Sequence, residues 1–162
     1  MYNKSLISEF FTTIDCKTYF RTLSLITYKL PLLRYWKEVD QLEQMFLSYI
    51  WKTQSQIISF YNWRSAIFWA LKMIQVKSSD EVIVSGYTCV SVSNAVIQSW
   101  ANIIYSDINK KDLWLNVNEL EKNISQNTKA IIVQHTFWKP SEIKKIIKLA
   151  KSKNIIVIED CS

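Results

Sequence analysis

The chain has 162 residues with a formal net charge of +6, 49% apolar and 21% charged residues. That is enough for one domain with a real core and too apolar for a disordered chain. No apolar run approaches the ~20 residues of a membrane span, and Met1–Phe11, carrying Lys4 and Glu9, lacks the apolar stretch of a signal peptide. Residues 1–35 have no clean period and are expected to form an N-terminal arm, with a break at Pro31. Glu38–Ile50 places Val39, Leu42, Phe46, Tyr49 and Ile50 on one helical face.

From there strands and helices alternate. Strands are predicted at 56–60, 81–84, 102–105, 129–134 and 155–158, and helices at 64–76, 89–99, 116–123 and 141–153. Such alternation builds βαβ units and a mainly parallel sheet. The apolar run Ile155–Ile158 fits a central strand covered on both faces, so three layers, α/β/α, are expected. A chain that closes at Ser162, just after such a strand, looks cut.

Three widely spaced cysteines, Cys16, Cys89 and Cys161, include no CxxC pair. They argue against a zinc site or a disulfide framework and fit a reduced, cytoplasmic setting. His135 is the only histidine and reads as a structural hydrogen-bonding group rather than a metal ligand, so no metal is expected. The lysines are spread along the chain, and with three arginines the basic charge reads as solvated helix faces, not a nucleic-acid surface. Neither GxxxxGK[ST] nor GxGxxG is present, which weakens nucleotide-triphosphate and dinucleotide readings.

In open α/β sheets ligands sit beyond the carboxyl ends of the strands. Those ends carry Asn62–Ser65, Ser85–Cys89, Asp107, Gln134–Phe137 and Glu159–Cys161. Asn62-Trp63-Arg64-Ser65 leads into a helix. Free backbone N–H groups there suit a phosphate, and an ordinary N-cap by Asn62 or Ser65 explains the same residues. Asp160 ends a buried strand, where a carboxylate serves a metal, a proton or a cationic ring nitrogen, or simply caps a turn.

In order and spacing, DEVIVSGYTCVSVSNAVIQSWANIIYSDIN and NVNELEKNISQNTKAIIVQHTFWKPSEIKKIIKLAKSKNIIVIEDCS resemble the DegT/DnrJ/EryC1/StrS family. EVDQLEQMFLSYI and FYNWRSAIFWAL match its preceding segments, so the resemblance covers about residues 30–162. It implies the first half of the large domain of a type I pyridoxal-phosphate aminotransferase, over residues 36–162. Such enzymes transfer an amino group, from glutamate in the reading favoured here, to a nucleotide-linked keto-sugar, and work as homodimers in the cytoplasm. The resemblance places Trp63, Arg64 and Ser65 in the loop whose backbone holds the cofactor phosphate. Asp160, in IED, is the acid that pairs with the pyridine nitrogen. Cys89 stands where many members stack an aromatic ring; cysteine cannot stack, and Tyr87 is the neighbour that would compensate. The family's Schiff-base lysine lies beyond the IED motif and its small C-terminal domain further on, so no catalytic residue carries over and the chain alone is expected to be inactive. Another type I enzyme of desulfurase kind, or a non-catalytic binding protein derived from the family, are the alternatives.

One anomaly remains. Gly86 is the only glycine, where usage of about 7% would give roughly eleven. Seven tryptophans accompany it. Trp51 and Trp100 fall just after predicted helix ends, where glycine is favoured. The resemblance puts glycine at 63, 100 and 138, and also at 36 and 51. Trp69 lies inside a helix and does not fit, and Trp114 has no assignment. The pattern predicts a gene that reads UGA as glycine, translated as if UGA meant tryptophan; drift in a decaying gene would instead scatter substitutions over many residue types.

Overall fold

The computed structural model describes residues 37–49, 57–135 and 141–161. The chain divides into two compact units, residues 1–59 and 60–162.

In the first unit, α1 (Lys37–Tyr49) begins with Glu38 and Asp40, whose charges complement the positive end of the helix dipole. None of its residues is buried, and the predicted apolar face is open at Leu42, Phe46 and Tyr49. Ile50 lies outside the described residues, as do the predicted arm, Trp36, Trp51 and Trp138. The strand expected at 56–60 is not formed over 57–60, and Gln56 lies outside the described residues. The local polar chemistry explains the difference: the N–H and hydroxyl of Ser59 both donate to the Glu43 carboxylate, at 2.6 and 2.8 Å, so this backbone is tied to a side chain instead of a ladder. Those two bonds hold the Glu43 carboxyl below its ordinary pKa.

The second unit contains α2 (Trp63–Met73), β1 (Glu81–Ser85), α3 (Val90–Gln98), β2 (Asn102–Ser106), α4 (Val117–Asn123), β3 (Thr128–Gln134), α5 (Ile143–Ser152) and β4 (Ile156–Asp160). The four strands form one sheet in the order β2-β1-β3-β4, and every pairing is parallel. Asn62 starts α2 from an extended conformation, its Oδ1 accepting the Ser65 N–H at 2.9 Å. Asn116 starts α4 in the same way, accepting from Asn118 and Glu119. Both are side-chain caps satisfying otherwise orphaned N–H groups.

Helices cover both faces, because residues of the inner strands alternate between two cores. Val82, Val84, Ala130 and Ile132 pack with Ile67 and Leu71 of α2 and Val92, Ala95 and Val96 of α3. Ile83, Ile131 and Val133 pack the other way, with Leu120 of α4 and Ile146 and Ala150 of α5. The central positions of β1 and β3 are at most 1% exposed, the near-continuous burial that a doubly covered parallel sheet requires.

Element boundaries differ from expectation by up to three residues, and two of the differences have a clear cause. β4 runs through Asp160, two residues past the predicted end, because Gln134 and Asp160 still pair across the ladder. It also lies at one end of the described sheet rather than at its centre, which leaves Ile156 40% exposed. α2 stops at Met73, short of Val76, because Gln75 takes a left-handed conformation with φ 56°.

Candidate active site at the carboxyl ends of the strands

The chain passes from β1 outward to β2 and then returns to place β3 on the other side of β1. The carboxyl ends of β1 and β3 therefore flank a topological switch point, the usual location of a ligand crevice in such sheets. Local geometry draws the loops together there. The Gly86 N–H donates to the Ser106 carbonyl at 2.8 Å, bringing the loop after β1 against the end of β2. The Ser85 hydroxyl receives the Tyr87 N–H at 3.2 Å, tightening the turn. The Thr88 hydroxyl donates to Gln134 Oε1 at 2.7 Å and joins the loop after β1 to the end of β3. The His135 N–H donates to the Asp160 carbonyl at 3.1 Å, extending the β3–β4 pairing by one step.

Two of the expected site residues, Arg64 and Cys89, stand at the start of α3, and the charge of a third, Asp160, acts on Cys89. Arg64 Nη2 donates to Ser91 Oγ at 3.1 Å, tying the first turn of α2 to the first turn of α3. Cys89 is the N-cap of α3 and is exposed. Its thiol is pulled below its ordinary pKa, first by the Ser91 backbone N–H, then by the Ser91 hydroxyl, with a further contribution from the Arg64 charge. Asp160 opposes that shift through its negative charge, so the carboxylate is within electrostatic reach of the thiol. Asp160 is 8% exposed at the end of β4.

Trp63 and Ser65 belong to the first turn of α2 without joining this contact network. Trp63 is 36% exposed, and the Ser65 hydroxyl donates to Asn62 Oδ1 at 3.1 Å. The capping reading of Asn62 is therefore realised. It uses the N–H of Ser65, while the Asn62 carbonyl receives the N–H of Ala66. Ser91, 8% exposed, organises the site although sequence reasoning passed over it, and Gln134, at a strand end the sequence singled out, does so through a partner the sequence did not indicate. A serine in a helix carries no pattern of its own, and the Thr88–Gln134 pair spans 46 residues.

His135, Glu159 and Cys161 place one potential ligand atom each within 4.8 Å of one another. Their protons are arranged for hydrogen bonding. The Ser141 N–H donates to His135 Nδ1 at 3.0 Å, so Nε2 carries the proton and donates to Glu159 at 2.6 Å. Burial, and then the charges of Glu159 and Asp160, push the Cys161 thiol above its ordinary pKa, which makes it a poor ligand. A separate cleft of about 320 Å³, lined by Asn109, Asp112, Trp114, Asn116, Glu142 and Lys145 among others, shares no residue with the Arg64–Cys89–Asp160 cluster.

The parallel sheet with two helical layers, and polar groups gathered at the switch point, is the architecture of the type I pyridoxal-phosphate transferases, and solved aminotransferases share it. NtdA from Bacillus subtilis, determined with bound cofactor PMP, is 29% identical with a TM-score of 0.71 over 75% of this chain and 28% of its own. An aminotransferase from Psychrobacter cryohalolentis is 27% identical with a TM-score of 0.75 over 93% and 37%. The particular family follows from the sequence: residues 30–162 match the DegT/DnrJ/EryC1/StrS aminotransferase family, and the chain belongs to it. The family is pyridoxal-phosphate dependent. Uncharacterized protein MJ1066 of Methanocaldococcus jannaschii is 32% identical over 74% of this chain and 31% of its own length. GDP-perosamine synthase of Escherichia coli O157:H7 is 35% identical over 60% and 27%. The chain thus spans about a third of the curated relatives it matches.

Proposed function

We infer that residues 36–162 are part of the large domain of an aminotransferase that moves an amino group from glutamate to a nucleotide-linked keto-sugar, for surface polysaccharide or glycan synthesis. The observation that carries this is the family match over residues 30–162, and the GDP-perosamine synthase relative supports the sugar substrate. On this reading residues 1–35 are an arm, the protein is a cytoplasmic homodimer, and it engages neither nucleic acid nor membrane. Among the described residues no helix is long and apolar enough to cross a membrane.

The donor set fits pyridoxal phosphate. Capping at Asn62 uses the Ser65 N–H and leaves the N–H groups of residues 63 and 64 without an acceptor among the described residues. Those groups, with the Arg64 guanidinium and a rotated Ser65 hydroxyl, would hold the phosphate at the positive end of α2. Asp160, a largely buried carboxylate, would keep a proton on the ring nitrogen. Cys89 would stand beside the ring without stacking on it, and Tyr87, 48% exposed, supplies an aromatic ring two residues earlier. Bound in this way, the cofactor supplies an electron sink for amino transfer. On this reading the covalent lysine is the one that the resemblance sets beyond the IED motif, and the 162 residues alone neither hold the cofactor covalently nor turn over.

The test uses the protein from its full reading frame, titrated with pyridoxal phosphate and then glutamate. A cofactor absorbance band that changes on adding glutamate is expected. Asp160→Asn should weaken the response about 10- to 100-fold, the scale of one charged hydrogen bond. The 162-residue chain should give no borohydride-stable adduct. A full-length protein that ignores the cofactor would refute the reading. Turnover by the short chain, with an adduct at one specific lysine, would refute the placement of that lysine.

A further inference from the structure

None of the four described tryptophans sits in the way a core tryptophan does. Trp63, Trp69 and Trp100 are 36%, 51% and 75% exposed. The fourth, Trp114, has its Nε1 buried without a hydrogen-bond partner among the described residues, although a buried indole N–H normally finds one. Three helices end in the same geometry. Gln75, Trp100 and Asn154 follow the C-caps of α2, α3 and α5, with φ of 56°, 70° and 57°. Their N–H groups donate to Lys72, Ile97 and Lys151, the carbonyls three residues back. This left-handed position is where helices favour glycine, or else asparagine, because a Cβ is strained there. At Trp100 no packing offsets the strain, since the side chain is mostly in water. The chain's one glycine does not serve this need, for no glycine has a positive φ.

We propose that positions 63 and 100 are glycine in the protein the cell makes, because its UGA codons are read as glycine, and that tryptophan there is the product of translating those codons by another table. One substitution mechanism then accounts for part of the glycine deficit, for two of the exposed tryptophans and for the indole at a left-handed helix end. At position 63 the proposal deepens the cofactor reading and rests on it. Glycine makes the first residue of α2 bare backbone, so an anion can approach its N–H without meeting an indole. At position 100 it is independent of any cofactor. Trp69 is different in kind. It lies inside α2, where glycine weakens a helix, and its ring meets Phe68 edge-on at 5.5 Å.

The test reads the codons and then the protein. UGA is expected at positions 63 and 100 and UGG at position 69. UGG at either 63 or 100 overturns the proposal. Peptide mass spectrometry of the protein purified from its own cells is expected to give glycine at both positions. Tryptophan at either, even from a UGA codon, overturns it too. Neither measurement depends on cofactor binding, so a failure here is distinguishable from a failure of the aminotransferase reading.

Discussion

Replacing Trp100 by glycine should stabilise the tryptophan-bearing chain, produced from a gene with UGG at that codon. At φ 70° a residue with a Cβ pays about 1–2 kcal/mol to remain left-handed. Glycine removes that cost and returns about 0.4–1 kcal/mol through its more flexible unfolded state. The indole is 75% exposed, so little burial is forfeited, and the bond from the residue 100 N–H to the Ile97 carbonyl at 3.0 Å does not involve the side chain. The net gain is about 1 kcal/mol. With a urea slope of about 2 kcal/mol/M, the unfolding midpoint rises by about 0.5 M. Trp100→Ala is the control: it removes the same indole but keeps the Cβ, and should leave the midpoint near its starting value. A Trp100→Gly midpoint no higher than that of Trp100→Ala would refute the backbone argument.

The two described cysteines should titrate on opposite sides of an ordinary thiol. Alkylation of Cys89 by iodoacetamide should reach half its maximal rate below the usual thiol pKa and that of Cys161 above it, since the thiolate is the reacting form. Ser91→Ala should move the Cys89 profile upward, and coincident profiles for the two thiols would contradict the local geometry. Leu120→Ala, at a fully buried position of α4, should cost about 2–5 kcal/mol in chemical denaturation. Leu42→Ala, at a 60% exposed position of α1, should cost about 0.5 kcal/mol or less.

The layered fold was legible because β1 and β3 carry unbroken apolar runs and the helices between them show a 3.6-residue period, both direct consequences of a doubly covered sheet. Local sequence misled where a tertiary partner decided the outcome. Ile57, Ile58 and Phe60 have strand-forming side chains, yet the Ser59 backbone is claimed by Glu43 from 16 residues away. The end of α2 was obscured because Gln75 occupies a left-handed position without the glycine that usually marks it. At the site, Arg64, Cys89 and Asp160 could be named from position and resemblance. Ser91, which connects two of them, could not, because its role depends on how α2 and α3 face each other.

The strand order has a consequence for how the chain is made. β1 and β2 are complete once Ser106 has been synthesised, but the partner for the other edge of β1 begins only at Thr128, and β3 in turn waits for Ile156. A nascent chain growing from its N-terminus therefore carries an open strand edge of unpaired backbone N–H and C=O groups during each interval. Such edges pair readily with other chains. Sequence separation between β1 and β3 also delays closure, because the intervening segment must be ordered before the ladder rewards it. The hazard is greatest after β2 and before β3, when α2 and α3 are available to one face of β1 but the other face has at most α4, since Ile146 and Ala150 of α5 are still to be made.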